Sequence, residues 1–213
     1  MSTPTTTAPI AILGATGQQG SAVVDALLAA GQTVRAIVRT PDSAKAQALS
    51  ARGVEVVAGD QDDPDSLRGP LTGVAALFLM TTFTDDSGTE GEVRRGIATA
   101  DVAAQVGVPR VVYSSVGGAE RDSGVPHFES KYRVEQHLES LLPSVVVRPA
   151  FFMDNFVGQL DAAGDGEFVL RQPMPGDVPL QMIAVRDIGV IAAAALVAPM
   201  LSAGRPSRSP GTS

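Results

Sequence analysis

The feature that most constrains this chain is a glycine-punctuated turn between an apolar run and an amphipathic stretch. Ile10-Ala11-Ile12-Leu13 leads directly into Gly14-Ala15-Thr16-Gly17-Gln18-Gln19-Gly20. Ser21 to Ala30 follows, apolar at Ala22, Val23, Ala26, Leu27 and Ala30. Strand, tight turn and helix in that order open a βαβ unit. A G-x-x-G-x-x-G pattern alone is a weak signal, but in this context each glycine has a physical use. Gly14 permits the turn, Gly17 lets a pyrophosphate approach the backbone, and Gly20 lets helix and strand pack closely. The helix N-terminus offers N–H groups and a partial positive charge to the anion.

The alternation continues. Strands are expected at Thr33–Val38, Val54–Ala58, Ala75–Met80, Arg110–Ser114 and Val145–Arg148. Helices are expected at Ser43–Arg52, Asp63–Leu71, Glu90–Val106 and Glu129–Leu142. Near-continuous apolar strands alternating with helices imply a parallel sheet covered on both faces. The expected fold is therefore α/β, a doubly wound (Rossmann) sheet over residues 9–150, behind a disordered tail over 1–8. Past residue 150 the pattern weakens. Phe151–Leu160 reads as a loop running into a helix and Asp187–Val197 as a helix, within a small, partial C-terminal substrate region over 151–201. Residues 202–213, rich in Ser, Pro, Gly and Arg, read as a disordered tail.

Composition removes whole classes of function. The 213 residues are 44% hydrophobic, enough for a core. There is no cysteine, hence no disulfide, thiol nucleophile or thiolate metal site. His127 and His137 are the only two histidines, too few for a typical metal centre, so no metal is expected. A net charge of −7 opposes direct nucleic-acid binding. Ile188 to Leu201, the longest near-apolar stretch, falls short of the about 20 residues a membrane span needs. Met1 to Pro9 lacks the basic residue and apolar core of a secretory signal. A cytoplasmic protein with no membrane partner is expected.

The second strand runs into Arg39, where an acid would bind the ribose 2′-OH of NAD; an Arg there suits the 2′-phosphate of NADP. Lys45 and Arg35 are candidates to assist it. Asp60, after the third strand, can cap a turn or accept from the adenine amine. Dehydrogenases on this fold commonly pair a Tyr with a Lys four residues later; here Lys131 has His127 in the Tyr position. Tyr132 lies about 100° around the helix from Lys131 and cannot substitute. His127 is a candidate proton donor near neutral pH, or simply packs at the helix entrance. Ser114 and Ser115 end the fifth strand at the carboxyl edge, where a hydroxyl could meet a substrate carbonyl or satisfy the turn at Gly117-Gly118.

The glycine loop, Arg39, Gly59-Asp60-Gln61, His127-Phe128-Glu129-Ser130-Lys131 and Arg148-Pro149-Ala150-Phe151-Phe152-Met153-Asp154-Asn155-Phe156 together resemble the NmrA-like atypical short-chain dehydrogenase/reductases over about residues 9 to 198. That resemblance implies a Rossmann fold binding NADP(H) in preference to NAD(H). It implies either a reductase of a quinone- or enone-type small molecule or a non-catalytic redox sensor acting through a regulatory protein partner; the oligomeric state stays open. By position, Gly14, Ala15, Thr16, Gly17, Gln18, Gln19 and Gly20 would hold the pyrophosphate. Arg39, Thr40 and Pro41 would surround the 2′-phosphate, and Asp60 and Gln61 would meet the adenine. Thr81, Thr82 and Phe83 would line the floor near the nicotinamide ribose, Lys131 would bind that ribose, and Phe151, Phe152 and Asn155 would flank the nicotinamide. The family usually continues well past Ile183–Gly189, so the substrate lid is expected to be incomplete.

Overall fold

In the computed structural model, which describes residues 8–157, 160–164, 167–170 and 175–199, the apolar runs become strands. These are β1 (Ile10–Leu13), β2 (Val34–Val38), β3 (Glu55–Ala58), β4 (Ala76–Met80), β5 (Val111–Ser114) and β6 (Ser144–Val147). They form one sheet in the order β3-β2-β1-β4-β5-β6, and every neighbouring pair is parallel. This is the doubly wound arrangement that the alternating pattern implied. The helices are α1 (Gln18–Ala29), α2 (Ala44–Ser50), α3 (Arg68–Leu71), α4 (Gly88–Gln105), α5 (Pro126–Leu141) and α6 (Val185–Val197). The expected helix over Asp63–Leu71 is a 3-10 turn (Pro64–Leu67) continued by α3.

Strand alternation feeds two cores. Ile10 and Ile12 pack with Val23 and Leu27 of α1 and with Ala192 and Leu196 of α6. Ala11 and Leu13 face the other way, onto Ala100 and Ala103 of α4 and Val134 and Leu138 of α5. Both faces of β1 are covered, which is why it reads as an unbroken apolar run. Two glycines set how closely the helices approach. A Cβ on Gly189 would stand 2.4 Å from the Ala22 carbonyl oxygen, and one on Gly96 would stand 2.5 Å from Cγ2 of Val134. Neither gap accepts a methyl group. The second closes α4 onto α5, with consequences for the site below.

The loop-to-helix expectation after residue 150 is corrected. Phe151–Phe152 is a short strand, β7, followed by a 3-10 turn over Met153–Phe156. β8 (Leu160–Gly164) and β9 (Glu167–Leu170) form an antiparallel pair. β7 pairs in parallel with β10 (Met182–Ile183). Asp154 Oδ2 then accepts from the Val185 backbone N–H at 2.8 Å, tying the turn to the start of α6. Two residues of consecutive aromatic sequence carry too little periodicity to announce a strand; pairing with a distant segment decides it. α6 also belongs to the sheet's packing, buried against α1 through Ile188, Ala192 and Leu196. Of the tails expected at 1–8 and 202–213, residues 1–7 and 202–213 lie outside the described residues.

Candidate functional site

The strand order reverses between β1 and β4, and the loops leaving their carboxyl ends part to open a crevice. Two cavities occupy it. One, of about 310 Å³, is walled by Gly14, Thr16, Arg39, Asp60 and Gln61. The other, of about 480 Å³, is walled by Gln18, Gln19, Phe83, Ser115, His127, Lys131, Phe151, Phe152 and Asn155. Met80, Thr81, Thr82 and Thr84 border both, so the two meet across the end of β4 beside the glycine loop.

The three glycines of that loop separate by physical cause. Gly14 sits at φ 71°, and a Cβ on it would come 2.5 Å from the Met80 sulfur. A Cβ on Gly20 would fall 2.1 Å from the Gly14 carbonyl oxygen. Both are required by the protein's own packing. Gly17 is different: its backbone is extended (φ −96°, ψ 177°), and a Cβ there would touch only the Gly14 oxygen, at 3.4 Å. It also caps α1 without a side-chain hydrogen bond, and the first turn of α1 carries no acid. Bare N–H groups with no competing carboxylate suit an anion. The loop therefore fits a dinucleotide pyrophosphate. Ala15 is buried under it, and Gln18 and Gln19 reach into the larger cavity.

On the smaller-cavity side, Arg39 is exposed at the end of β2, and no hydrogen bond or ion pair among the described residues holds it. Thr40, Pro41 and Lys45 do not wall the cavity. Arg35 is excluded as a phosphate ligand. Its guanidinium binds Glu55 at 2.9 Å and the Pro70 carbonyl at 2.8 Å, near the amino end of β2 and away from the crevice. Asp60 does cap its turn: Oδ1 accepts from the Asp62 N–H at 3.0 Å, and its own N–H donates to Ser66 at 2.9 Å. Gln61 leans on Thr99 at 3.4 Å. A buried guanidinium that the sequence reading did not single out, Arg95, binds Asp85 at 2.8 Å, the Thr82 carbonyl at 2.6 Å and Asp62 at 3.4 Å. It rivets the loop after β3 to the loop after β4. Asp85 responds with a carboxyl held below the usual range, chiefly by its hydrogen bond from Ser87 and also by Arg95.

In the larger cavity, Lys131 Nζ meets Glu92 Oε1 at 2.9 Å and lies within 3.3 Å of the Thr81 carbonyl oxygen. Glu92 is 0% exposed. Ser130 donates to its Oε2 at 2.5 Å and Thr81 to its Oε1 at 3.0 Å. Tyr113 touches the same Thr81 hydroxyl at 3.1 Å. Burial pushes the Tyr113 phenol above the ordinary value, and at 0% exposure it walls neither cavity. Phe83 stacks on His127 with centroids 4.9 Å apart. Burial pulls the His127 pKa below 6.5; Glu92 opposes the shift and Lys131 adds to it.

Residues 6–205 match the NmrA-like family. The chain belongs to that family. It is 36% identical over 192 residues to the NAD(P)H azoreductase of Xenophilus azovorans, covering 89% of this chain and 64% of the azoreductase. Citrobacter sp. triphenylmethane reductase, solved in complex with NADP(H), superposes with a TM-score of 0.73 at 26% identity, over 89% of this chain and 66% of that one. Nmra is a negative transcriptional regulator solved with NAD and also with NADP, and this chain superposes on its NAD complex with a TM-score of 0.74 at 26% identity, over 85% of this chain and 59% of that one. This NmrA-like chain thus spans 59–66% of the length of these three relatives.

Most residues assigned through the NmrA-like pattern gather at the two cavities. Ser114, a candidate from its strand-end position alone, does not. It is buried and donates to Gln19 Oε1 at 2.5 Å, so its hydroxyl serves the loop rather than a substrate. Strand alternation sends the next residue the other way, and Ser115 walls the larger cavity. Ser115 is 5% exposed, and its Oγ has no hydrogen-bond partner among the described residues. Glu92 was missed as well. Its signal was present: Glu92, Arg95, Thr99 and Ala103 recur at helical spacing on the buried side of α4. Polar residues there read as a solvated face until the fold places them. Among the described residues no cluster of potential ligands could hold a metal, and no helix is long and apolar enough to cross a membrane.

Proposed function

We propose that this chain binds a nicotinamide dinucleotide along the two joined cavities, prefers NADP(H), and acts as an NADPH-dependent reductase of a conjugated small molecule of the quinone or enone type. The observation that carries this reading is the pairing of Lys131 with the orphaned Ser115 hydroxyl in one apolar-walled cavity at the sheet's switch point. The smaller cavity takes the adenosine half, with Arg39 offering an unpaired fork to a 2′-phosphate. Gly17 leaves room for the pyrophosphate. Lys131 reaches the nicotinamide ribose. When bound, the reduced nicotinamide supplies a hydride equivalent to the acceptor. Phe83, Phe151 and Phe152 exclude water and give a flat acceptor an apolar surface. Ser115 donates its O–H to the acceptor's carbonyl oxygen, where negative charge develops. The proton that completes reduction comes from His127 or from water. The azoreductase and the triphenylmethane reductase among the relatives support a reductase role.

A sensor reading is favoured by a separate observation. Tyr113 is sealed and the pKa of His127 is lowered, so neither is well suited to donate a proton near pH 7. The likeness to a transcriptional regulator points the same way. Purified protein with NADPH and a panel of quinones and enones, followed at the nicotinamide absorbance, decides between the two. Acceptor-dependent oxidation supports the reductase; tight binding with no turnover across the panel supports the sensor.

A further inference from the structure

We propose that Glu92 is the positioning residue of the larger cavity, acting through Lys131 to aim its ammonium at the nicotinamide ribose. The inference rests on the dinucleotide reading above and names a residue that the glycine loop and the Lys131 segment do not. An ammonium carries three N–H donors on a flexible stem, and with no partner it points nowhere in particular. Here Glu92 Oε1 at 2.9 Å and the Thr81 carbonyl at 3.3 Å engage it from the protein side. Thr81 Oγ1, at 3.4 Å, lies beside that carbonyl on the same residue and shares its donor, so the third N–H is left for the cavity that Lys131 walls.

The carboxylate is itself immobilised. Ser130 holds Oε2 at 2.5 Å, and the Thr81 hydroxyl holds Oε1 at 3.0 Å. Three elements meet at this one group, the end of β4 through Thr81, α4 through Glu92 itself, and α5 through Ser130 and Lys131, and β5 reaches it indirectly, through Tyr113 on the Thr81 hydroxyl. A buried carboxylate is costly unless it is paired and hydrogen-bonded. This one meets both conditions while leaving its cation at the cavity wall, with the Lys131 side chain 11% exposed. Gly96, one turn along α4 from Glu92, keeps α4 close enough to α5 for the pair to meet.

The test is titration of the full chain and of Glu92→Gln with two probes, NADPH and adenosine 2′,5′-bisphosphate. The second probe has the adenosine half alone and does not reach Lys131. Glu92→Gln should weaken NADPH by about tenfold or more, the range set by a misplaced hydrogen bond to a charged group. It should leave the bisphosphate within about twofold, well inside the tenfold that 1.4 kcal/mol represents. Glu92→Asp, which keeps the charge but shortens its reach, should fall between the parent and the amide, and it decides in the same way if the amide fails to fold. Unchanged or tighter NADPH binding overturns the inference. Equal loss of both probes also overturns it, because that is what a purely structural residue would do. Failure of the parent to bind NADPH at all instead sinks the dinucleotide reading on which the inference stands.

Discussion

The glycine loop and the Glu92–Lys131 cluster lie on opposite sides of the same crevice and are built by opposite strategies. The loop is local: Gly14 and Gly20 contact atoms within seven residues of sequence or at the adjacent end of β4, and its chemistry is main-chain N–H. The cluster is assembled from β4, α4, β5 and α5, and its chemistry is a buried ion pair. A main-chain site needs room and tolerates change in its neighbours. A buried-charge site needs partners and fails when one is removed. Changes in the two regions should therefore fail in different ways.

The largest effect is expected within the loop. Gly17→Val should abolish cofactor binding while leaving circular dichroism and the melting transition near the parent's, because only the Gly14 oxygen, at 3.4 Å, faces the new Cβ. Gly20→Ala puts a Cβ 2.1 Å from that same oxygen and should cost stability of about 1–3 kcal/mol or more. If both substitutions lower the melting temperature equally, the division of labour among the glycines is wrong.

Next comes the cluster. Lys131→Met strands the Glu92 carboxylate, which is 0% exposed. The expected cost is roughly 3–5 kcal/mol in chemical denaturation, as for one partner removed from a buried pair. Adding Glu92→Gln should recover much of it. A double variant no more stable than Lys131→Met would mean that the pair is not coupled.

Arg39→Ala should act on affinity alone. A loss of about 1.5–3 kcal/mol for NADPH is expected, with little change for NADH. Matching titration curves for the two cofactors in the parent would remove the argument for a 2′-phosphate site.

The smallest effect concerns His127. Its folded pKa lies below its unfolded value, so its contribution to stability is present above about pH 6.5 and is lost as pH falls through the folded pKa. His127→Phe keeps the apolar stack on Phe83 and removes that titration. Melting temperatures measured from about pH 8 down to pH 5 should show the variant gaining on the parent as acid is added. A constant difference between the two would show that His127 does not titrate differently on folding.

Which parts were legible in the sequence follows from the same contrast. The strand–loop–helix opening and the alternating apolar runs are short-range patterns, and steric and solvation rules act on them directly. They announced a doubly wound sheet, the glycine loop and the position of Arg39 at a strand end. Family resemblance carried Lys131, Phe151, Phe152 and Asn155 to the site. Within the crevice, the misplaced expectations share a cause, which is side-chain direction. Arg35 was grouped with Arg39, yet it lies toward the other end of the strand, with Glu55. Ser114 and Ser115 were grouped together, yet Ser114 bonds Gln19 while Ser115 walls the larger cavity, since a one-residue step reverses the face.

What the sequence by itself determined was the order of elements through β6, their burial pattern and the glycine-punctuated turn after β1, because each depends on residues close together in the chain. Only the tertiary structure decided that Phe151–Phe152 pairs with Met182–Ile183, that the buried Ser115 hydroxyl is left without a partner among the described residues, and that Glu92 stands behind Lys131. These outcomes depend on which distant segments exclude water together. A carboxylate on a charged stretch of helix reads as solvated until another helix, admitted by the missing side chain of Gly96, closes over it and makes its partners obligatory.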